Sequence, residues 1–226
     1  MSFGSVLKNL DWSYLGELLV QIVTALLCIM VHEICHGAAA YALGDHTAAR
    51  QGRLSLNPLR HVDLFGLFML AFFHFGWARP VSVDIRNFRH PKRDMALTAL
   101  AGPASNFVMA AVALLLYGLC YRSLSGSTFG GYILDLLSSI AYLSVSLGLF
   151  NLIPFPPLDG SKVLFSFLPD RAYVRLMRLE RYGMFALIIL VLAMNRLFSV
   201  SPITTASRAV YGVFFHIAEA AYSLTK

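Results

Sequence analysis

The apolar segment Leu15–Leu43 most constrains what this chain can form, because residues 32–36 in the middle of it read HEICH. His32 and His36 stand four residues apart, so on a helix they share one face and can hold one zinc ion, with Glu33 beside them as a base. Ionisable residues within a membrane span are costly, and by default they indicate a functional site. The pattern therefore predicts a metal centre inside a hydrophobic helix.

The composition places the chain in a membrane. Of its 226 residues, 58% are hydrophobic and 13% are charged, whereas about 25% of the residues in an ordinary soluble domain are charged. Several apolar runs approach the ~20 residues that a helix needs to cross a bilayer. We expect an all-α polytopic membrane protein, a bundle of about five to six transmembrane or membrane-embedded segments with a small β-hairpin or re-entrant element.

Six apolar segments alternate with polar loops. The second of them is short for a full helical span and is nearer the length of a re-entrant or interfacial element. In chain order the segments are approximately Leu15–Leu43, Leu64–Trp77, Met95–Tyr121, Tyr132–Ile153, Tyr182–Val200 and Ile203–Leu224.

The basic residues orient these segments. The loops after the first segment, after Leu64–Trp77 and before the fifth segment together hold 13 of the 18 lysines and arginines, whereas the loop that contains Arg122 holds one. Basic loops are typically cytoplasmic, and these three share a side only if Leu64–Trp77 enters and leaves on that side. We therefore expect a re-entrant segment and an active site toward the cytoplasm. The same bias accounts for the net charge of +6, so no nucleic-acid partner is expected.

Two short stretches alternate polar and apolar residues. The stretch 52–58 reads GRLSLNP and stops at Asn-Pro, which is typical of a strand followed by a turn. Val81–Asp84 alternates as well, so the two could pair in a small sheet at the cytoplasmic rim. An exposed strand edge can hold an extended peptide by strand addition. The candidate edge residues are Gly52, Leu54, Leu56 and Asn57.

A third metal ligand is needed, because catalytic zinc usually has three protein ligands and one open position. Residues 151–160, which read NLIPFPPLDG, end the fourth apolar segment with three prolines and a lone carboxylate, Asp159. Prolines free backbone groups from helical pairing and open space near a site. On the proposed topology, Asp159 and the HEICH sequence both lie toward the cytoplasmic side, where they can converge.

These motifs resemble those of the site-2 proteases, a family of intramembrane zinc metalloproteases. The resemblance rests on HEICHG and NLIPFPPLDG, and it extends to GRLSLNP at residue 52, GWARPV at residue 76 and AGPASN at residue 101. It covers about Val31–Lys162. The chain is most similar to compact bacterial and archaeal members that lack a PDZ domain, and we expect none here.

The resemblance implies a role for each matching residue. The zinc ligands fall on His32, His36 and Asp159, and the general base falls on Glu33. Zinc lowers the pKa of its bound water to about 7, and Glu33 would take the proton and return it to the leaving amine. The family pattern also keeps polar residues near Asn106 and Asn151. We expect one of them to hydrogen-bond the carbonyl oxyanion or the substrate backbone.

Residues 1–226 are expected to form a single membrane-embedded metalloprotease domain. Its catalytic core covers about residues 15–165, and residues 166–226 supply C-terminal membrane segments that are a candidate gate. The partners implied are the lipid bilayer and a membrane-protein substrate helix. Arg171, Arg175, Arg178 and Arg181 have helical spacing, which is typical of a cytoplasmic helix lying on anionic lipid.

Two other functions remain open from the sequence. A metalloprotease-like scaffold could hold membrane helices without cutting them, although such a protein has no need of the base Glu33. A metal transporter, in which zinc is cargo, would need further metal sites along a path. The remaining histidines, such as His46, His61, His90 and His216, lie in loops or far from the core.

Overall fold

A computed structural model describes residues 12–57, 60, 80–197 and 201–225. The predicted segment Leu64–Trp77 lies outside these residues. The other five apolar segments are helices in the structure, each within a few residues of its predicted bounds. In chain order the helices are α1 (Trp12–Ala42), α2 (Thr47–Arg50), α3 (Pro91–Leu124), α4 (Thr128–Asn151), α5 (Asp159–Ser166), α6 (Asp170–Leu179), α7 (Gly183–Leu197) and α8 (Pro202–Ser223).

Among the described residues, three helices are long and apolar enough to cross a membrane: Gly16–Ala42 within α1, the whole of α3 and the whole of α4. Long uninterrupted helices suit a bilayer because they satisfy every backbone hydrogen bond within the segment. The prediction of an all-α membrane protein is therefore confirmed.

The centre of the bundle is made of small and medium side chains from α1, α3 and α4. Cys28, Ala110, Leu114, Ala141 and Val145 are fully buried there. Small residues let helix backbones approach closely, which is how membrane helices gain packing energy. The three helices therefore pack closely at Cys28, about one helical turn before His32.

Helix α8 packs against α3 in the same way. A methyl group added to Gly118 would overlap the carbonyl oxygen of Ala218 and lie 2.8 Å from the Cβ atom of Ala221. The last predicted segment is thus a helix packed closely on protein. The structure thereby shows how a segment that contains Arg208, His216 and Glu219 can belong to the bundle.

The strand predicted at Gly52–Asn57 does not form, so that prediction was wrong. Gly52 has φ +66°, and its N–H donates to Ala49 while the N–H of Arg53 donates to Ala48. This pair of bonds is the Schellman motif, which ends a helix on a left-handed glycine. The alternation of residue types was therefore misleading, since Gly52 terminates α2. Within the described ranges no β-strand occurs, and Val81–Asp84 has no strand partner there.

Candidate metal centre

Two histidines of α1 form one side of a buried cluster. The Nε2 atoms of His32 and His36 lie 2.9 Å apart, and the two residues are 5% and 9% exposed. Their separation by four residues places both rings on one face of the helix. Two neutral imidazoles do not need such proximity for packing, so the arrangement indicates a shared ligand.

Asp159 closes the cluster from the first position of α5. Its Oδ2 atom lies 3.2 Å from Nε2 of His32 and 3.1 Å from Nε2 of His36. Zinc bonds of about 2.0–2.1 Å in a tetrahedron set neighbouring ligand atoms about 3.3 Å apart. The three atoms stand close to that spacing, and their nitrogen and oxygen donors are ones that zinc takes. The residues therefore fit a zinc ion with its fourth position open.

The second ring nitrogen of His36 shows which nitrogen is free for the metal. His36 Nδ1 lies 2.7 Å from the backbone carbonyl oxygen of Thr98 on α3. A carbonyl oxygen only accepts, so Nδ1 carries the proton and Nε2 presents its lone pair to the cluster. Ligating histidines commonly donate their other N–H in this way, which fixes the ring and raises its basicity.

His32 has a comparable partner in Asn106 of α3. The amide nitrogen of Asn106 is placed 3.1 Å from His32 Nδ1, and the amide oxygen, which is fully buried, has no hydrogen-bond partner in the described part of the chain. Amide orientation is assigned from the hydrogen-bond network. Turning the amide over lets its oxygen accept Nδ1–H of His32, which satisfies the orphaned atom and leaves Nε2 free for zinc.

Gly102 makes room for the two rings. A Cβ atom at this position would overlap Nε2 of His36 and lie 2.6 Å from Cε1 of His32. The surface of α3 that faces the two rings therefore consists of the backbone at Gly102, the carbonyl oxygen of Thr98 and the amide of Asn106. No side chain stands at the point of closest approach. The motif AGPASN at residues 101–106 supplies both this gap and Asn106.

Glu33 is held by a different part of the chain. Its Oε2 atom accepts a hydrogen bond of 2.8 Å from the backbone N–H of Val81. Its other oxygen has no hydrogen-bond partner among the residues that the structure describes. The backbone thus orients one carboxylate oxygen, and a carboxylate held in this way beside the two histidines is a candidate general base.

Lys162 lies on the outer side of Asp159. Its Nζ atom is 3.5 Å from Oδ1 of Asp159 and 3.7 Å from Oε1 of Glu180. The two oxygens of Asp159 are therefore divided, with Oδ2 facing the histidines and Oδ1 facing a lysine. This division keeps the carboxylate in one rotamer and favours binding through a single oxygen.

The structure brings His32, His36 and Asp159 together, and Glu33 lies on α1 beside the two histidines. Asn106 contacts the ring of His32. The amide nitrogen of Asn151 donates a hydrogen bond of 3.0 Å to the carbonyl oxygen of Leu147 in its own helix. The candidate edge residues occupy the non-helical chain after α2, where the side chain of Leu54 packs over Gly37 of α1 and Leu56 is 75% exposed.

Sequence reasoning missed Thr98, Gly102, Val81 and Lys162. Two of these act through backbone atoms, Thr98 by its carbonyl oxygen and Val81 by its N–H, so their side chains gave no signal. Gly102 stands inside AGPASN, and Lys162 follows Asp159 by three residues. Their positions in quoted motifs could have drawn attention to them.

A model of the family described as Peptidase family M50 matches residues 121–194. "Putative zinc metalloprotease YwhC" of Bacillus subtilis (strain 168) is 34% identical over 192 residues, which cover 83% of this chain and 86% of the relative. The chain belongs to peptidase family M50. This result confirms the resemblance to the site-2 proteases.

More distant M50 relatives carry a similar name. "Putative zinc metalloprotease Rip2" is 28% identical in Mycolicibacterium smegmatis, over 82% of this chain and 72% of the relative. The protein of that name in Mycobacterium tuberculosis (strain H37Rv) is 27% identical, over 80% of this chain and 70% of the relative. No solved structure matches the chain. The family and these names support a metallopeptidase whose cofactor is zinc, as predicted.

Proposed function

We propose that this M50 protein is an intramembrane endopeptidase that cleaves the transmembrane segments of membrane proteins. One observation carries the proposal: the His32, His36 and Asp159 group is buried at the inner face of α1, a helix long and apolar enough to cross a membrane. A hydrolytic site at that position faces peptide bonds that soluble proteases cannot reach. Substrates of this kind would be single-span or tail-anchored proteins, signal-peptide remnants or membrane-bound regulators.

Each polar residue of the centre has a distinct task in this proposal. His32, His36 and Asp159 hold the metal, and Thr98 and Asn106 keep the two rings in place. Bound zinc would lower the pKa of a water to about 7 and polarise the scissile carbonyl. Glu33 accepts the proton of the attacking water on its free oxygen and returns it to the leaving amine.

A substrate helix must unwind before it can react, because its peptide bonds are held in internal hydrogen bonds. Two non-helical stretches of the described chain are candidates to contact an unwound segment: residues 52–57, with Gly52, Leu54, Leu56 and Asn57, and residues 80–84. Residues 80–84 lie beside the base, since Val81 contacts Glu33. Asn151, which ends α4 eight residues before Asp159, is a candidate for contact with the substrate backbone.

The proposed topology is multi-pass, with the active site toward the cytoplasm. The charged loops support it, because Arg50, Arg86 and Arg89 are exposed on the chain that connects α1 to α3. Cysteine substitutions at Arg89 and at Gly126, which lies in the turn between α3 and α4, would test it in intact cells with a membrane-impermeant thiol reagent. The proposal requires external labelling at Gly126 and none at Arg89, and the reverse pattern would contradict it.

The decisive experiment uses the full chain in proteoliposomes with a single-span model substrate labelled at both ends. Mass spectrometry of the products should place the cut within the hydrophobic segment. Glu33→Gln should abolish cleavage while zinc content, measured by elemental analysis, stays at one per chain, since the ligands are intact. A cut outside the membrane segment would contradict intramembrane proteolysis, and cleavage by Glu33→Gln would contradict the role of the base.

The same measurement separates a protease from the other functions considered. A non-cleaving scaffold would bind the model substrate, and neither the wild-type protein nor Glu33→Gln would produce fragments from it. A transporter would lose zinc to the opposite compartment during turnover. An endopeptidase releases fragments while its zinc remains bound.

A further inference from the structure

Helix α6 and the 3₁₀ turn that follows it, Glu180–Tyr182, carry an array of positive charge on the protein surface. We call Arg171, Arg175, Arg178 and Arg181 the arginine face. All four side chains are exposed, whereas Tyr173 on the opposite side of α6 is 6% exposed and anchors the helix inward. The face borders an open groove of about 570 Å³.

The acidic residues of this segment do not neutralise its arginines. The Asp170 carboxylate lies 2.5 Å from Nζ of Lys92, and Glu180 lies 3.7 Å from Nζ of Lys162. Both acids therefore pair with lysines from neighbouring helices. No carboxylate of the described residues lies within ion-pair distance of the arginine face, although arginine readily forms such pairs. The array therefore presents four exposed positive charges without a carboxylate partner, and Arg181 lies over the ring of Tyr182, 5.1 Å from its centroid.

The surroundings of the arginine face indicate which partner that is. The apolar helix α7 begins at Gly183, directly after the turn that carries Arg181. Exposed apolar side chains flank the array on both sides, with Phe167 83%, Tyr182 56% and Phe185 70% exposed. Aromatic residues next to arginines at the end of an apolar helix are typical of the boundary between lipid and water.

We propose that the arginine face binds the anionic phospholipid headgroups of the membrane in which the protein lies. The four guanidinium groups would contact phosphate groups while Phe167, Tyr182 and Phe185 enter the adjacent acyl boundary. A soluble polyanion or an acidic protein would match the charge, but it would leave these aromatic side chains in water. The lipid surface matches both features at once.

The arginine face is connected to the metal centre through side chains. Glu180 belongs to the same turn as Arg181 and contacts Lys162, which in turn contacts Asp159.

The full chain in lipid nanodiscs provides the test. Arginine reactivity toward phenylglyoxal is quantified by mass spectrometry in discs of phosphatidylcholine alone and in discs with 30% phosphatidylglycerol. Near an anionic surface each arginine gains binding worth about fivefold, so Arg171, Arg175 and Arg178 should react about fivefold more slowly with the anionic lipid. Arg86 is an internal control, because it is already paired with Asp84.

Equal reactivity in the two kinds of disc would overturn the proposal. Protection by a soluble polyanion such as polyglutamate, without protection by phosphatidylglycerol, would also overturn it and would assign the face to an acidic macromolecule. High salt should remove the protection, because it screens exposed charges.

Two matched variants complete the test. Replacing Arg171, Arg175 and Arg178 together by glutamine should remove the excess of phosphatidylglycerol that copurifies with the protein in native mass spectra. Replacing the same residues by lysine keeps the charge and should preserve it. Both triple variants alter exposed side chains, so their monodispersity in detergent checks the fold. An unchanged lipid content in a monodisperse glutamine variant would contradict the proposal.

Discussion

The two sides of the metal centre are built in different ways. On one side, α3 supplies a carbonyl at Thr98, a gap at Gly102 and an amide at Asn106, and Thr98 and Asn106 are at most 2% exposed. On the other side, the non-helical chain at residues 80–84 supplies one backbone N–H, from Val81 to Glu33, and Pro80 is exposed. A long helix thus holds the rings of the two histidines proposed as metal ligands, whereas a loop orients the proposed base. Metal affinity and base orientation should therefore respond to different substitutions.

The loop side has an anchor of its own at Asp45, just beyond the end of α1. Its fully buried carboxylate accepts hydrogen bonds from the N–H and hydroxyl of Thr47, from the amide of Asn87 and from the N–H of Asp84. These contacts tie the chain around Asp84 to the helix that carries Glu33. The loop is thus held at two points, by Glu33 near the metal and by Asp45 near the rim.

The largest effect is expected on the α3 side, from Gly102→Ala. The added methyl group would overlap the ring of His36 and press on that of His32, so both rings must move. We expect loss of bound zinc and of nearly all proteolysis, measured by elemental analysis and by the model-substrate assay. Alanine favours a helix over glycine by about 1 kcal/mol, so helix propensity cannot cause the loss.

The control for that change is Gly212→Ala in α8, where an added Cβ meets nothing within 4 Å. This variant should keep wild-type zinc content and activity. If Gly102→Ala also keeps its zinc, the rings are not held against α3 as described.

A smaller effect is expected from Asn106→Ala. Loss of a hydrogen-bond partner to a ligating histidine typically lowers metal affinity by 10–100-fold, which a competition assay with a zinc chelator would measure. Asn106→Asp keeps an acceptor oxygen for Nδ1–H of His32 and should retain more zinc than the alanine variant. If Asn106 instead contacts the substrate, the alanine variant will bind zinc normally and lose kcat, which would contradict its role beside His32.

On the loop side, Val81→Pro removes the N–H that Glu33 accepts. We expect kcat to fall by about tenfold, in line with the loss of one hydrogen bond of about 1.5 kcal/mol to a charged group. Zinc affinity should not change, since no ligand is touched. Val81→Ala keeps the N–H and should behave as wild type. A parallel loss of zinc in Val81→Pro would show that the two sides are not separable.

The smallest effect concerns the stability of the loop anchor. Burial alone would raise the pKa of the Asp45 carboxyl, but hydrogen bonds from Thr47, Asn87 and Asp84 outweigh burial and lower that pKa below its usual value. A lowered pKa stabilises the folded protein above the unfolded value of about 3.9, and this stability is lost as the pH falls through the folded pKa. Acidification below about pH 4 should therefore lower Tm.

Asp45→Asn provides the comparison, because it is nearly the same size and does not titrate. At pH 7 it should melt a few degrees below wild type, since its amide N–H₂ faces donors. The gap between the two proteins in detergent should narrow as the pH falls. Parallel Tm curves from pH 7 to pH 3 would show that Asp45 does not stabilise the loop through its charge.

Much of the fold was predictable because membrane helices can be recognised in a sequence by the length and apolar character of their segments. Helices α1, α3, α4, α7 and α8 lie close to the predicted segments. The strand expected at residues 52–57 failed because alternation over six residues is a weak signal. One glycine with φ +66° ended a short helix there instead.

The chemistry at the centre was determined by the sequence itself. Two histidines four apart, a glutamate between them and a carboxylate after three prolines allow few functions inside apolar segments, because buried charges there are costly unless they bind a metal or one another. Only the tertiary structure brought Asp159 to His36 across 123 residues of chain. It also selected Thr98, Gly102 and Val81, which act through a carbonyl, an absent side chain and an N–H. Every residue has a backbone carbonyl, and every residue but proline has an N–H, so the use of these groups depends on where the helices pack.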